Sequence, residues 1–410
     1  MTLLDSVRDD LQGIPADDLV PALRRGQVSD VDQVVEVTPL AEGSAVAALR
    51  LVDGRDLFIP IVHDGHWRRA EPADAISVAA FDAPPPLRVE HVNAFPALDS
   101  RRERGLDVDM TNDVRIVDDA VAIKWHFQRM PGSQIGPRVT AHLSAAGFTE
   151  IPQPLANLTW HDDLVATADR FLPDAEDGWD WMLDDVRRML MSEAPAPTWA
   201  GEIGRLTARM HGASARPTRV IEEPVTHAPL ADLAPHYRSL IDEPLDPQMH
   251  GAVQRWRNRF LEACEVLAHA RHAEVMPIHR DLHPGQFLRW REGIAICDFD
   301  GSPTIPAEMH HLRGPTALDV AGVLRGLDHV AIAAARRVDD PVALDRARAW
   351  AAEARAEALT AYRGMPDVPP LDEDVLGALE SLSPLHEAVY AARYLPRWRY
   401  VPLAVLDGGW

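Results

Sequence analysis

Two neighbouring stretches decide the fold: Ile278-His279-Arg280-Asp281-Leu282-His283-Pro284-Gly285-Gln286-Phe287-Leu288 and Ile294-Ala295-Ile296-Cys297-Asp298-Phe299-Asp300-Gly301. Each joins a short apolar run to a polar turn, which predicts a β-loop-β segment. Pro284 and Gly285 interrupt any continuous strand through the first stretch. The acidic residues therefore lie on connections, where polar side chains can meet a ligand.

The residue types and their order suit phosphoryl transfer. That reaction needs Mg²⁺ held against phosphates, a positioned acceptor oxygen and neutralised charge. Asp281 can accept the proton of an attacking hydroxyl. Gln286, five residues later, has the spacing of the metal-binding Asn in the catalytic loop of protein kinases, and Asp298 matches the Mg²⁺-binding Asp of Asp-Phe-Gly.

A single lysine strengthens this interpretation. The chain has 41 basic residues, of which only Lys124 is a lysine. It lies in Ala120-Val121-Ala122-Ile123-Lys124-Trp125, a strand-like run of the type in which kinases place the lysine that pairs with nucleotide phosphates. An ammonium is a compact point charge that a planar guanidinium does not replace. We predict that Lys124 binds phosphate.

Histidine spacing in the first stretch leaves an alternative open. His279, Asp281 and His283 alternate, so on one strand they would share a face and could bind a metal such as Zn²⁺. Under the phosphotransfer hypothesis, His279 and His283 instead brace the loop and Arg280 is structural. A metal-dependent hydrolase is thus one rival function. A pseudokinase that binds nucleotide as a scaffold is another, which intact Lys124, Asp281 and Asp298 disfavour.

Charge and composition narrow the partners. The net charge is -22, which disfavours nucleic acid and anionic membranes. The sequence has no apolar run of about 20 residues, the length that spans a bilayer, and no secretory signal at its start. Cys264 and Cys297 lack metal-ligand spacing and are interpreted as two buried free thiols. We therefore expect a cytoplasmic protein.

The sequence predicts three parts and an α+β fold. Residues 1–95 form a β-rich cap, with a hairpin around Asp53-Gly54. Residues 96–175 hold a second hairpin that turns at Asp118-Asp119 and places Lys124 on its second strand. Residues 176–410 are mainly helical, with helices predicted near 177–192, 202–211, 249–272, 316–363 and 383–394.

The motifs at 279–286 and 297–301 resemble the aminoglycoside phosphotransferase superfamily of small-molecule kinases. The chain is most similar to actinobacterial maltokinases and glucosamine kinases, which also have glutamine at the Gln286 position and an N-terminal cap. The likeness extends through Asp64 to Ala70, Leu206 to His211, Leu318 to Arg325 and Tyr390 to Leu403. It implies a bilobal protein-kinase-like fold: an N-terminal β-rich cap, a small β-containing N-lobe and a mainly helical C-lobe.

The resemblance also implies roles for individual residues. Asp281 would be the catalytic base, and Gln286 and Asp298 would hold Mg²⁺. ATP would contact Lys124, the loop at Thr111 and Asn112, and a hinge at Arg170, Phe171 and Leu172. The helix after Lys124 lacks an obvious glutamate partner, so either another acid orients the lysine or ATP does.

The acceptor is predicted to be a small sugar. Maltokinases usually have glutamate where this chain has Asp300, and the shorter side chain could change the sugar. Acidic surroundings that include Glu308 and Glu387 favour a protonated amine, so the leading hypothesis is an ATP-dependent glucosamine kinase. Maltokinase or another aminoglycoside or amino-sugar phosphotransferase is the alternative, and the protein would be a monomer or homodimer. The predicted substrate residues are Asp300, His386, Glu387, Tyr390 and Trp410.

Overall fold

The computed structural model describes residues 2–20, 28–106, 113–127, 135–302 and 311–408. The predicted α+β class is confirmed. The chain divides into two compact units, one of residues 1–141 and 152–173 and the other of residues 142–151 and 174–410. Helix α3 (Ile135–Ala145) spans the boundary between them. The further separation of a cap at residues 1–95 stays a prediction.

The first unit is built on two antiparallel sheets. Four strands in the order β1-β2-β3-β4 make one, and six strands in the order β5-β9-β10-β8-β7-β6 make the other. One apolar core serves both sheets, with Phe58, Trp125 and Phe127 fully buried. The elements are α1 (Leu3–Leu11), β1 (Val31–Ala41), β2 (Ser44–Leu51), β3 (Asp56–His63), β4 (Trp67–Arg69), α2 (Ser77–Ala80), β5 (Leu87–His91), β6 (Glu103–Gly105), β7 (Asp113–Val117), β8 (Val121–Trp125), β9 (Pro154–Trp160) and β10 (Asp163–Arg170).

The second predicted hairpin has the expected turn. Strands β7 and β8 pair with Val117 opposite Val121. Asp118 and Asp119 have φ of 50° and 51°. Two consecutive residues of positive φ are what a tight hairpin turn requires, and aspartate tolerates that conformation better than most residues. Lys124 consequently lies on β8, as predicted.

A buried charged cluster joins the two sheets of the first unit. Arg115 on β7 is fully buried, and its Nη2 donates to the backbone oxygen of Ala70 at 2.5 Å and to Asp113 Oδ2 at 3.0 Å. Its Nη1 lies 3.6 Å from Glu103 Oε2. That carboxylate oxygen accepts from Ser77 Oγ at 2.8 Å. Ser77 Oγ also accepts from the indole Nε1 of Trp125 at 3.1 Å. Trp125 directly follows Lys124 in the chain.

The second unit is mainly helical, as predicted. It adds two three-stranded sheets, in the orders β11-β14-β15 and β12-β13-β16. The elements are β11 (Glu176–Asp177), α4 (Gly178–Leu190), α5 (Ala200–Ser214), β12 (Thr226–Ala228), α6 (Leu233–Ile241), α7 (Pro247–Arg255), α8 (Arg257–His269), β13 (Ala273–Pro277), β14 (Phe287–Trp290), β15 (Gly293–Ile296), β16 (Arg313–Gly314), α9 (Thr316–Arg336), α10 (Ala343–Arg363), α11 (Glu373–Arg393) and α12 (Tyr400–Leu406).

Two helical predictions need correction. The pattern at 249–272 is two helices, because the backbone leaves helical geometry at Trp256, whose φ and ψ are -99° and 1°. The indole Nε1 of Trp256 donates to the Leu406 carbonyl at 2.9 Å. The last long helix begins at Glu373 rather than near 383, so Pro384 lies inside α11.

Both cysteines are free thiols, as predicted. Cys264 is buried, whereas Cys297 is only half-buried because it follows the end of β15. No helix among the described residues combines the length and the apolar character that crossing a bilayer requires.

Candidate active site

The loop after β13 is anchored by Asp319, a fully buried residue in the first turn of α9. One carboxylate oxygen of Asp319 accepts the backbone N–H of His279 and the other accepts that of Arg280, both at 2.7 Å. His211 Nε2 approaches the same carboxylate at 3.1 Å. Burial alone would raise the pKa of Asp319, but these partners hold it below the usual range. The anchor therefore stays ionised and fixes the loop.

Arg280 serves the loop backbone. Its φ of 72° turns the chain immediately before Asp281. Its guanidinium donates to the carbonyls of Phe299 at 3.0 Å and His311 at 3.3 Å. Arginine offers five donors in a rigid fork, so one side chain can hold two segments. Arg280 thus has the structural role that the sequence predicted.

His279 braces the loop rather than transferring protons. It is fully buried, and its Nε2 lies 2.8 Å from the Cys297 carbonyl. Its Nδ1 accepts from the backbone N–H of Asp281 at 3.3 Å. Burial lowers the pKa of His279, which favours a neutral ring with its proton on Nε2. His279 therefore links Asp281 to the strand end that precedes Asp298.

Gln286 and Asp298 are brought to adjoining positions by backbone pairing. The N–H of Cys297 donates to the Gln286 carbonyl at 2.9 Å. Gln286 is 7% exposed, and its side-chain amide lies 3.2 Å from His283 Nε2. Asp298, the next residue after Cys297, turns the chain with a φ of 62°. Amide and carboxylate oxygens are the ligands that Mg²⁺ prefers, so this pair fits the metal.

The histidines of the loop are committed to internal contacts. His283 Nδ1 accepts from the N–H of Gly285 at 3.1 Å, and its Nε2 lies 4.0 Å from Asp281 Oδ2. Within the described ranges, no group of three or more His, Cys, Asp or Glu side chains is placed to hold a metal ion. The rings of His279 and His283 are thus occupied by the hydrogen bonds that shape the loop, which disfavours the hydrolase alternative.

Helix α9 also supports the loop through two glycines. A Cβ at Gly322 would lie 2.3 Å from the carbonyl oxygen of Leu282. A Cβ at Gly326 would lie 2.4 Å from Cδ of Pro284. These distances are far below van der Waals contact, so only glycine lets the loop lie this close to the helix.

Helix α11 contains three of the five residues predicted to bind the sugar: His386, Glu387 and Tyr390. The carboxylate charge of Asp281 acts on both His386 and Tyr390, which places these two side chains in its neighbourhood. Burial lowers the pKa of His386, an effect that Asp281 opposes. Burial and Asp281 together raise the pKa of Tyr390. Glu387 is turned towards α9, where His329 Nε2 lies 2.9 Å from its Oε1.

The remaining predicted site residues lie in the first unit, in the second unit or outside the described residues. Lys124 lies on β8 opposite Thr167 of β10. At the predicted hinge, the Phe171 N–H donates to Ala120 at 2.9 Å and Leu172 is buried. Arg170 of the same segment, at the end of β10, is exposed. In the second unit, Asp300 is half-buried and its charge acts on Arg280. The positions outside the described residues are Thr111, Asn112, Glu308 and Trp410.

Sequence reasoning assigned no role to the residues that hold the site together. Asp319 and His211 entered only as parts of stretches that resemble relatives, and Arg325 and His329 were not considered as partners of Glu387. A signal was available for Asp319: an acidic residue at the start of an otherwise apolar helix. Its partners are remote in sequence, so the pattern could not name them.

Comparisons with known proteins find relatives that match most of the chain. No protein-family model matches the chain. A glucosamine kinase of Streptacidiphilus jiangxiensis is 36% identical over 395 residues, which cover 88% of each chain. A glucosamine kinase of Mycolicibacterium smegmatis is 35% identical over 377 residues, which cover 86% of this chain and 92% of that protein. A solved glucosamine kinase in complex with glucosamine, ADP and inorganic phosphate superposes with a TM-score of 0.76 at 30% identity, covering 100% of this chain and 99% of the other.

Proposed function

Because this chain belongs to the glucosamine kinase family, we propose that it transfers the γ-phosphate of ATP to a hydroxyl of glucosamine. The supporting observation is the loop from His279 to Gln286, which the buried Asp319 anchors and which presents Asp281 near His386 and Tyr390. A carboxylate beside an aromatic hydroxyl and an imidazole suits a small polyol. The resemblance that the sequence predicted is confirmed at the level of the family.

Asp281 is the proposed catalytic base. Its backbone is fixed by His279, and its side chain is 28% exposed, so it can reach an incoming hydroxyl. As the hydroxyl oxygen attacks the γ-phosphorus, the bond from that phosphorus to the bridging oxygen of ADP breaks, and the hydroxyl proton passes to the Asp281 carboxylate. Positioning and electrostatic stabilisation supply most of the rate in such reactions.

Gln286 and Asp298 are the proposed ligands of Mg²⁺. When bound, the ion would supply positive charge that stabilises the negative charge developing on the phosphates. The chain's own contribution is to keep the two oxygen-bearing side chains in register through the Cys297 backbone bond. Lys124 is proposed to bind the phosphates, and the segment Arg170, Phe171 and Leu172 to lie against the adenine. Thr111 and Asn112 are proposed to cover the phosphates.

The amino group of the sugar is proposed to meet carboxylates. Asp300 is the candidate from the described residues, since it follows Asp298 by two positions and its charge acts on Arg280, which belongs to the loop that presents Asp281. His386 and Tyr390 would contact hydroxyl groups, and Trp410 would cover the sugar ring. A neutral imidazole at His386 avoids repelling an ammonium, consistent with its lowered pKa.

A substrate screen tests the proposal. Coupled ADP-release assays with ATP and Mg²⁺ would compare glucosamine, maltose, glucose and aminoglycosides. We expect kcat/KM to be highest for glucosamine, and N-acetylglucosamine, which lacks the ammonium, to be a poor substrate. Turnover of maltose alone would contradict the proposal and favour a maltokinase.

A further inference from the structure

A buried charged cluster lies between helices α9 and α11, and we call it the Glu387 cluster. It comprises Glu387 on α11 and Arg325, Asp328 and His329 on α9. Glu387 Oε1 lies 2.9 Å from His329 Nε2 and 3.6 Å from Arg325 Nε. Arg325 Nη1 donates to Asp328 Oδ2 at 2.7 Å. The four side chains are 7–15% exposed, so these charges interact with little screening by water.

The cluster depends on having all its members. Burial by itself would raise the pKa of Glu387, but the charges of His329 and Arg325 outweigh burial and hold it at about 2. Glu387 is therefore an anion at any physiological pH. Removing one partner of a buried ion pair leaves an uncompensated charge and is strongly destabilising. The neighbouring Arg355 extends the cluster, since its Nη1 donates to Asp328 at 3.0 Å.

The position of Glu387 on its helix gives the cluster a function. Glu387 directly follows His386 and precedes Tyr390 by three residues, so all three lie within little more than one turn of α11. The other two side chains lie near Asp281. The partners of Glu387 lie on α9, the helix whose first turn contains Asp319, the anchor of the loop that presents Asp281. Helix α9 thus contacts both parts of the proposed acceptor site, which are the loop that presents Asp281 and the turn of α11 that contains His386 and Tyr390.

We propose that Glu387 is a positioning residue, held by Arg325 and His329, which sets His386 and Tyr390 against Asp281 and thereby determines sugar affinity. This inference rests on the proposed function, since it assigns the acceptor side of that reaction to α11. It replaces the expectation that Glu387 binds the sugar itself. The chemical class of ligand is a monosaccharide whose hydroxyl groups meet the imidazole and the phenol.

The competing role for Glu387 is direct capture of the sugar ammonium. Its Oε2 is buried and has no hydrogen-bond partner within the described part of the chain. The guanidinium of Arg325 and the imidazole of His329 already lie within 3.6 Å of the other carboxylate oxygen, however. A sugar ammonium at this carboxylate would be repelled by Arg325, whose charge is permanent. The geometry therefore favours positioning over capture.

Four variants separate the two roles: Glu387→Gln, His329→Asn, the double variant, and Glu373→Gln as a control. Glu373 is at the start of the same helix and pairs with Arg363 at 2.7 Å, but its side chain is 57% exposed. The assay measures KM and kcat for the sugar that wild type turns over, and KM for ATP. Failure of wild type to use glucosamine would thus defeat the proposed function without affecting this test.

If Glu387 positions α11, both single variants raise KM for the sugar about tenfold or more, while KM for ATP stays within about twofold. The double variant is then no worse than Glu387→Gln, because both changes break one contact. Glu373→Gln matches wild type. If Glu387 captures the ammonium, His329→Asn keeps the carboxylate and leaves KM unchanged or lower, which would overturn the proposal.

A stability readout completes the design. Thermal unfolding of each variant identifies any global loss of folding, which would lower the active fraction and kcat without shifting KM for the sugar alone. Should Glu387→Gln fail to fold, His329→Asn and Arg325→Lys still test the proposal, since both retain the Glu387 carboxylate. Unchanged sugar KM in both of these would reject it.

Discussion

The buried carboxylate of Asp319 accepts the backbone N–H of His279 at 2.7 Å, although forty residues separate the two in sequence. The second oxygen of the same carboxylate takes the next N–H in the chain, that of Arg280, at the same distance. The two bonds use separate carboxylate oxygens, whereas an amide at this position would replace one of these acceptors with a donating NH₂ group. The conformation of the loop thus depends on ionised Asp319.

Replacing Asp319 with asparagine should lower kcat by a larger factor than it weakens the binding of the sugar or of ATP. Asparagine retains the shape but loses one acceptor and the charge, and each charge-assisted hydrogen bond contributes about 1.5–3 kcal/mol. We expect kcat to fall at least about tenfold and the midpoint of thermal unfolding to drop. Steady-state kinetics and calorimetry check this. Normal kcat in a folded Asp319→Asn protein would show that the loop holds its shape without the anchor.

Replacing Asp281 with asparagine should abolish turnover and preserve nucleotide binding. The substitution removes the proposed proton acceptor and leaves the backbone hydrogen bond from Asp281 to His279 intact. General-base catalysis contributes about 10²–10⁴-fold to rate. We expect kcat to fall by that order while the dissociation constant of ATP, measured by calorimetry, stays within about threefold. Residual turnover above a few per cent would indicate another base.

Glycine-to-alanine substitutions on α9 and α11 should have opposite signs. Gly322→Ala places a Cβ 2.3 Å from the Leu282 carbonyl oxygen, so we expect lower stability and lower kcat. Gly377→Ala on α11 meets no heavy atom within 4 Å and serves as the matched control. Alanine in a helix interior is favoured over glycine by about 1 kcal/mol, so this control should be neutral or stabilising. Chemical denaturation measures both, and equal effects would contradict the close packing.

Removing the Arg115 guanidinium should weaken the first unit and the site of Lys124 together. Arg115→Met leaves the buried Glu103 without its arginine partner, while Asp113 keeps Arg69 at 3.0 Å. Breaking a buried pair costs about 3–5 kcal/mol. We expect a lower unfolding midpoint and a higher KM for ATP, because Glu103 connects through Ser77 to Trp125 beside Lys124. Arg88→Met is the control, since that side chain is 77% exposed. An Arg115→Met protein with wild-type stability would refute the connection.

Stability should fall as the pH falls below about 6.5, the ordinary pKa of histidine. Burial lowers the pKa of His279 and of His386. In this pH range the unfolded chain therefore binds more protons at these two histidines than the folded protein does. The unfolding free energy therefore rises with pH in this range, by up to about 1.4 kcal/mol per unit for each such histidine. His279→Gln should flatten the slope and the exposed His227→Gln should not. Denaturant titrations between about pH 5 and about pH 6.5 decide this.

The sequence predicted what local patterns encode. The Lys124 hairpin follows from alternating apolar residues and the Asp118-Asp119 turn, all within twelve residues. The loop at 279–286 follows from a motif whose members are near one another. Long-range partnerships were missed, because nothing near Asp319 or Glu387 names the residues they meet. The last long helix was predicted to start near residue 383, but α11 begins after Asp372, whose side chain accepts from the Val375 N–H.

Helix α9 has a consequence for how the chain tolerates insertions. Asp319 holds the catalytic loop, and Arg325 and His329 hold α11, so the relative direction of these contacts depends on the number of residues between them. One inserted residue would rotate the later contacts by about 100° and advance them by about 1.5 Å. We therefore expect an insertion in this stretch of α9 to misalign the loop at 279–286 with the turn of α11 that contains His386, whereas a change of length between α10 and α11 should leave their register unchanged.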